Sequence, residues 1–246
     1  MLRSLLALAF WTLYVPLAAL LGFPWTLLSG KINFLYRLGM WGARTGVRLT
    51  GVTVKVMGQE RLDPQKNYIF MSNHASNLDP PIVVPLIPRR TSVLVKKELF
   101  RVPILGRAMR MASLVAVDRS NREAAVASVR AAAEVVKSGL NMTIFPEGTR
   151  SPDGRLLPFK KGPFHLALDS GVPIVPMTIV GSHQVLPKGR FGLYPGIIVD
   201  FFHPPIDPAA FPNKETLMAA VRAQIASALP PQYHEKDLHP GPACED

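Results

Sequence analysis

His74 and Asp79 stand five positions apart in NHASNLD (Asn73–Asp79), directly after the apolar run Tyr68–Met71. An imidazole held by a carboxylate is the pairing a general base needs. The acid fixes the ring's tautomer and steadies the charge that develops when the ring takes a proton. On a regular helix, five steps of about 100° would set the two side chains about 140° apart, so the pair does not share a helix face. A strand ending near Met71, a loop, and a helix opening at Asp79-Pro80 would instead fold the ring back onto the acid. The plainer alternative is that Asp79 only caps that helix and His74 only sits in the loop.

A second stretch, TIFPEGTRS (Thr143–Ser151), repeats the plan: an apolar strand, then a turn bearing Glu147, Gly148, Thr149 and Arg150. A guanidinium offers a phosphate paired, charge-assisted hydrogen bonds. The alternative is a tight turn with a surface ion pair. The third stretch, VKKELFRVPILGRAMR with LVAVDR (Val95–Arg119), is crowded with Lys and Arg, opposed only by Glu98 and Asp118. Arg101, Arg107 and Arg110 read as a solvated or headgroup-facing surface. Lys96 and Arg119 differ, because each closes a strand-like run and can share a pocket with Arg150.

The elements that must position these groups are legible after about Thr50. Short β-rich runs at 52–56, 68–71, 92–95, 114–117, 142–145, 174–180 and 197–202 are separated by helical stretches and turns. SNREAAVASVRAAAEVVKSG is the clearest helix, with a Ser120–Glu123 capping box and Gly139 as its stop. Another fits Lys214–Leu229. The alternation predicts an α/β fold: a single largely parallel-sheet domain with helices on both faces, and ligands beyond the strand C-terminal ends, where NHASNLD falls.

The chain has 246 residues, enough for one full core with an appendage. A net charge of +11 together with 48% hydrophobic residues and a mean hydropathy of +0.18 favours an anionic membrane surface. Nucleic acid is not expected as a partner, since no zinc-finger spacing, RNP-like motif or base-reading basic helix is present. Ser4–Ser29 carries no charge and is long enough to span a bilayer of about 30 Å. Pro16 and Gly22-Phe-Pro24 interrupt it, so a shallow hairpin in one leaflet competes with a single span. A cleaved signal peptide fits less well, because no small-x-small site closes the run. Lys31, Arg37, Arg44 and Arg48 follow the run, with Tyr36 and Trp41 suited to an interface, which places the bulk of the chain on the cytoplasmic side. The organisation expected is a two-helix membrane anchor over 1–50, a catalytic domain over 51–229 and a disordered Pro-rich tail over 230–246. The single cysteine, Cys244, lies in that tail, so no intrachain disulfide forms.

NHASNLD, KKELFRVPILG with VAVDR, FPEGTRS and VPIVPMTIVGS follow the order and approximate spacing of the four blocks of the glycerophospholipid acyltransferase family. The chain resembles that family over roughly Val52–Ser182, and looks most like its bacterial 1-acylglycerol-3-phosphate acyltransferases. The resemblance implies that His74 is the general base and Asp79 its orienting acid. It implies that Arg150 holds the acceptor's phosphate, assisted by Lys96 and Arg119, and that Glu147, in one turn with Gly148 and Thr149, helps place the acceptor glycerol. Val172–Ile179 would lie beside the site, and Lys160 and Gly162 of FKKG match a recurring family feature. A glycine often found before the last strand of the second block is Ala112 or Ser113 here.

The activity so implied moves an acyl chain from acyl-CoA or acyl carrier protein to the sn-2 hydroxyl of 1-acyl-glycerol-3-phosphate (lysophosphatidic acid). The product is phosphatidic acid, made at the cytoplasmic face of the cell inner membrane in phospholipid biosynthesis. A thiolate leaves readily, so no metal or other cofactor is expected. With no Gly-x-Ser-x-Gly elbow and no cysteine outside the tail, direct transfer is simpler than an acyl-enzyme. The alternatives are an acyltransferase for another lysophospholipid or an acylated amino-acid lipid, a hydrolase using the same pair on water, and a non-catalytic membrane-binding scaffold.

Overall fold

Among the residues described in the computed structural model, 2–118, 122–189 and 192–234, the apolar runs form seven strands. These are β1 (Val52–Met57), β2 (Ile69–Ser72), β3 (Thr91–Lys96), β4 (Val115–Val117), β5 (Asn141–Ile144), β6 (Ile174–Val180) and β7 (Gly196–Phe202). They make one sheet in the order β1-β7-β6-β2-β5-β3-β4. Neighbours are parallel except β6 and β7, which pair antiparallel. The expected α/β class with a largely parallel sheet is what the chain forms.

Helices are α1 (Leu2–Ser29), α2 (Asn33–Leu49), α3 (Asp79–Leu86), α4 (Pro103–Met111), α5 (Arg122–Lys137), α6 (Gly162–Ser170), α7 (Ser182–Val185) and α8 (Lys214–Ser227). They cover both faces of the sheet, and the strand pleat shows how. Ile69 and Met71 of β2 join a core with Val136 of α5, Phe164 of α6 and Val221 of α8. Phe70, pointing the other way, joins Val47 of α2, Ile82 and Val83 of α3 and Val185 of α7. Every residue of β2 and β5 is therefore buried, which is why these strands read as unbroken apolar runs rather than alternating ones.

β2 and β5 are parallel neighbours in the register Met71 to Ile144, so both end at one edge of the sheet. The loops after them are NHASNLD and FPEGTRS. Asn73 closes β2 by using its side chain where the ladder stops. Its Nδ2 donates to the Ile179 carbonyl at 2.9 Å, and its Oδ1 accepts from the Ile179 N–H at 2.8 Å.

The prolines in the N-terminal run do not break it. α1 continues through Pro16 and Pro24, because each removes a single backbone donor while the turns on either side persist. The chain reverses at Gly30, with φ at 67°, and α2 returns along α1. A side chain at Gly42 would collide with the Tyr14 ring and one at Gly46 with Trp11, so glycine there sets the close approach of the two helices. Two of the groups read as membrane-flank residues also tie α2 to the domain. The Arg44 Nη2 donates to the Pro85 carbonyl at 2.7 Å, and the Tyr36 hydroxyl accepts from the Thr91 N–H at 3.3 Å.

Ser113 takes φ 61°, the left-handed turn a glycine would adopt, so the departure at this point leaves the turn intact. Arg107 and Arg110 are exposed, as the sequence implied, and each also makes a contact. One lies 5.7 Å from the centre of the Phe23 ring, and the other donates to the Phe100 carbonyl at 3.0 Å. The segment 230–246 reads as a disordered tail, but its described part is ordered: Pro231–Tyr233 forms a 3-10 turn and the Tyr233 carbonyl accepts from the Leu156 N–H at 3.0 Å. The rest of that segment, including Cys244, lies outside the described residues, as do Arg119 and the capping Ser120.

Asn73→Ala leaves both backbone groups of Ile179 without these partners in the core. The expected cost is about 2–4 kcal/mol, seen as a lower midpoint in thermal or urea unfolding.

Candidate active site

Asp79 is fully buried, and one of its oxygens gathers three donors. Oδ2 accepts from His74 Nδ1 at 2.7 Å, from the Ala75 N–H at 2.7 Å and from the Ser76 N–H at 2.8 Å. The acid opens α3, as expected. Its carboxylate, however, reaches back to the preceding loop rather than forward to the amides of its own helix, so the simple capping alternative does not describe it. A ring nitrogen facing a carboxylate oxygen must carry the proton, which leaves Nε2 as the unprotonated nitrogen of the neutral ring. The His74 side chain is 17% exposed, and Nε2 has no hydrogen-bond partner among the described residues.

The second loop grips the same residue. The His74 N–H donates to Glu147 Oε1 at 2.9 Å, and its carbonyl accepts from the Ser151 N–H at 2.7 Å. Phe145 stacks on the imidazole with ring centres 4.2 Å apart. Nothing in the sequence pointed to Phe145, because it reads as one more apolar residue of the β5 run. Gly148 adopts φ 72° to turn the chain after Glu147, and its N–H donates to the Phe145 carbonyl at 3.0 Å.

Glu147 is buried between the loops, 2% exposed, with Oε2 accepting from the Leu157 N–H at 3.3 Å. Burial pushes its pKa from the ordinary 4.5 up to about 8, outweighing the two backbone donors; the Asp79 charge adds to the rise and Arg222 opposes it.

The cations are less gathered than the sequence suggested. Arg150 is half-buried and its backbone carbonyl accepts from Lys188 Nζ at 2.8 Å; Lys188 had no motif to announce it. Thr149 is exposed on the same turn. The Lys96 side chain is exposed, with Nζ 3.7 Å from Glu98, and no contact joins it to His74 or Arg150 among the described residues. Its neighbour Lys97 is the inward-directed one, 2.7 Å from Asp118. Lys160 contributes its backbone, donating to the Pro146 carbonyl at 2.8 Å.

A second buried acid lies behind the site. Asp200 of β7 is fully buried between Ile198 and Phe202 on the α3 side. Neither of its oxygens has a partner among the described residues. Burial, with the Asp79 charge, raises its pKa well above the ordinary aspartate value.

The family model described as Acyltransferase matches residues 53–180. A 1-acyl-sn-glycerol-3-phosphate acyltransferase of Limnanthes douglasii is 40% identical over 185 residues, covering 75% of this chain and 64% of that relative. The protein of the same description from Saccharomyces cerevisiae is 39% identical over 149 residues, 59% of this chain and 48% of that one. The chain thus spans less than two thirds of the length of these curated relatives. Among solved structures, the 1-acyl-sn-glycerophosphate (LPA) acyltransferase PlsC of Thermotoga maritima superposes with a TM-score of 0.81 at 28% identity, covering 92% of each chain.

The shifted Glu147 predicts a pH dependence. Its folded pKa lies above its unfolded one, so the folded chain holds an extra proton between pH 4.5 and about 8, and stability falls as pH rises through that window. Glu147→Gln should reduce the slope of unfolding free energy against pH there by up to about 1.4 kcal/mol per pH unit. Urea unfolding across the window checks it, and an unchanged slope contradicts the assignment.

Proposed function

The chain belongs to the Acyltransferase family, and we propose that it transfers an acyl chain from an acyl thioester to the sn-2 hydroxyl of 1-acyl-glycerol-3-phosphate, giving phosphatidic acid. The observation that carries this reading is the meeting of NHASNLD and FPEGTRS at His74, whose Nδ1 is engaged by Asp79 at 2.7 Å while Nε2 is left without a partner among the described residues.

A secondary alcohol is a weak nucleophile at neutral pH. His74 Nε2 takes its proton as the oxygen attacks the thioester carbonyl. The new C–O bond forms a tetrahedral intermediate, which collapses by breaking the C–S bond. The departing thiolate then takes the proton from the imidazolium, so His74 returns to its starting state. Asp79 stabilises the charged ring between these steps. Arg150, on the turn joined to His74 through Glu147 and Ser151, holds the acceptor's phosphate and so raises the effective concentration of its hydroxyl at the base. Coenzyme A and acyl carrier protein both present the thioester this mechanism requires.

The acceptor and product are membrane lipids, and α1 suits that setting. Arg3–Ser29 is long and apolar enough to cross a membrane, with a mean hydropathy of 2.0. Leu8, Leu13, Leu20 and Leu28 stand exposed along it. We propose that α1 and α2 form the membrane anchor, with the sheet domain on the cytoplasmic face of the inner membrane.

The test is lipid mass spectrometry after incubation of the protein with mixed lysolipids and an acyl thioester. Phosphatidic acid should form from lysophosphatidic acid, and His74→Ala should lower the rate by about 10²–10⁴-fold. Full activity in that variant overturns the mechanism, and acylation of a different lysolipid moves the substrate. Arg150→Ala should weaken acceptor use roughly 10- to 100-fold, the loss expected for a charge-assisted hydrogen bond.

A further inference from the structure

Arg222 lies on α8, beyond the span matched by the family model, yet it reaches the segment that follows FPEGTRS, at Leu156 and Leu157. Val221 and Ile225 on either side are fully buried, so the helix cannot turn without disturbing the core, and the base of the Arg222 side chain is fixed. Its guanidinium spreads over two consecutive carbonyls. Nη1 donates to Leu157 O at 2.7 Å and Nη2 to Leu156 O at 3.2 Å. The Phe159 ring lies below it, with Cζ 5.1 Å from the ring centre.

The peptide between Leu156 and Leu157 is therefore gripped at both ends. Its carbonyl accepts from Arg222, and its N–H donates to Glu147 Oε2 at 3.3 Å. Donation to the carbonyl polarises the peptide and strengthens the N–H as a donor. The other Glu147 oxygen accepts from the His74 N–H at 2.9 Å. An unbroken series of bonds thus runs from α8 through one peptide and one carboxyl to the backbone of His74. The arrangement needs the planar fork of arginine, because lysine presents a single point charge and cannot span two carbonyls in the same way.

We propose that Arg222 is a positioning residue of the acyl transfer, holding His74 in place through the Leu156–Leu157 peptide and Glu147. The proposal rests on the reading of His74 as the base. Without Arg222 the Leu156–Leu157 peptide is free to shift, Glu147 follows it, and the imidazole loses its alignment with the acceptor hydroxyl. Misplacement by about an ångström can cost on the order of 10²-fold in rate.

The test is a double-mutant cycle on the full chain with Arg222→Ala, Arg222→Lys, Glu147→Gln and the Arg222→Ala/Glu147→Gln pair, read as kcat and as KM for donor and acceptor. Arg222→Ala should lower kcat by roughly 10- to 100-fold while the donor KM changes little, and Arg222→Lys should recover only part of the loss. In the Glu147→Gln background the further loss should largely vanish. An equal loss in both backgrounds, or an unchanged kcat, overturns the proposal. If Arg222→Ala fails to fold, the cycle is run with Arg222→Lys. A second readout needs no turnover: the rate at which diethyl pyrocarbonate modifies His74, followed by mass spectrometry of its peptide. That rate should rise in the Arg222 variants, and a rate equal to the parent's overturns the proposal. If the parent acylates no lysolipid, the acyltransferase reading fails on its own, and the His74 modification rate still decides whether Arg222 positions the ring.

Discussion

A carboxylate that is fully buried has to be given donors, and the way Asp79 is supplied shapes the site. All three groups that bond its Oδ2 belong to the loop between β2 and α3. That loop wraps around the acid, and the two backbone N–H bonds from Ala75 and Ser76 hold it where the His74 ring also meets Oδ2. Hydrogen bonds to a charged acceptor contribute about 1.5–3 kcal/mol each, enough for the loop to hold this shape before any substrate arrives. The second loop adds the remaining constraints, taking the His74 N–H into Glu147 and its carbonyl onto Ser151. What the two loops leave unengaged among the described residues is His74 Nε2, and that is the atom the proposed chemistry uses.

Holding the base this way has a cost visible elsewhere. Glu147 and Asp200 are both acids whose pKa burial raises, and each resists folding as pH rises toward its shifted pKa. Glu147 has a clear return, because it joins the two loops and, through Leu157, reaches α8. Asp200 has none in the described bonds.

The strands, α5, α8 and the two chemical loops were legible in the sequence because their signals are local: apolar runs, turn residues and the histidine–acid spacing. What could not be read was set by contacts between distant segments. Phe145 resembles any strand residue until β5 is laid beside β2. Asp200 sits in an apolar run, GIIVDFF, with nothing local to say that its carboxyl would be sealed in the core. Lys96 looked able to share a pocket with Arg150, but the chain turns into a 3-10 segment directly after it, at Lys97, and the Lys96 side chain stands exposed beside Glu98. Pro16 and Pro24 signalled a break, yet α1 absorbs them and the reversal falls at Gly30. Arg222 carried no signal at all, since a lone arginine on an amphipathic helix is ordinarily a surface residue.

The central claim is that Asp79 fixes His74 in one tautomer with Nε2 as the base, and nitrogen-15 NMR of the histidine side chains addresses it directly. With His74 identified by the signals missing in His74→Ala, the parent protein should show a protonated, strongly hydrogen-bonded Nδ1 and an unprotonated Nε2 in the neutral ring. The Asp79→Asn variant should lose that pattern. A neutral ring carrying its proton on Nε2 in the parent protein would contradict the account, because the nitrogen assigned to take the acceptor's proton would already be occupied.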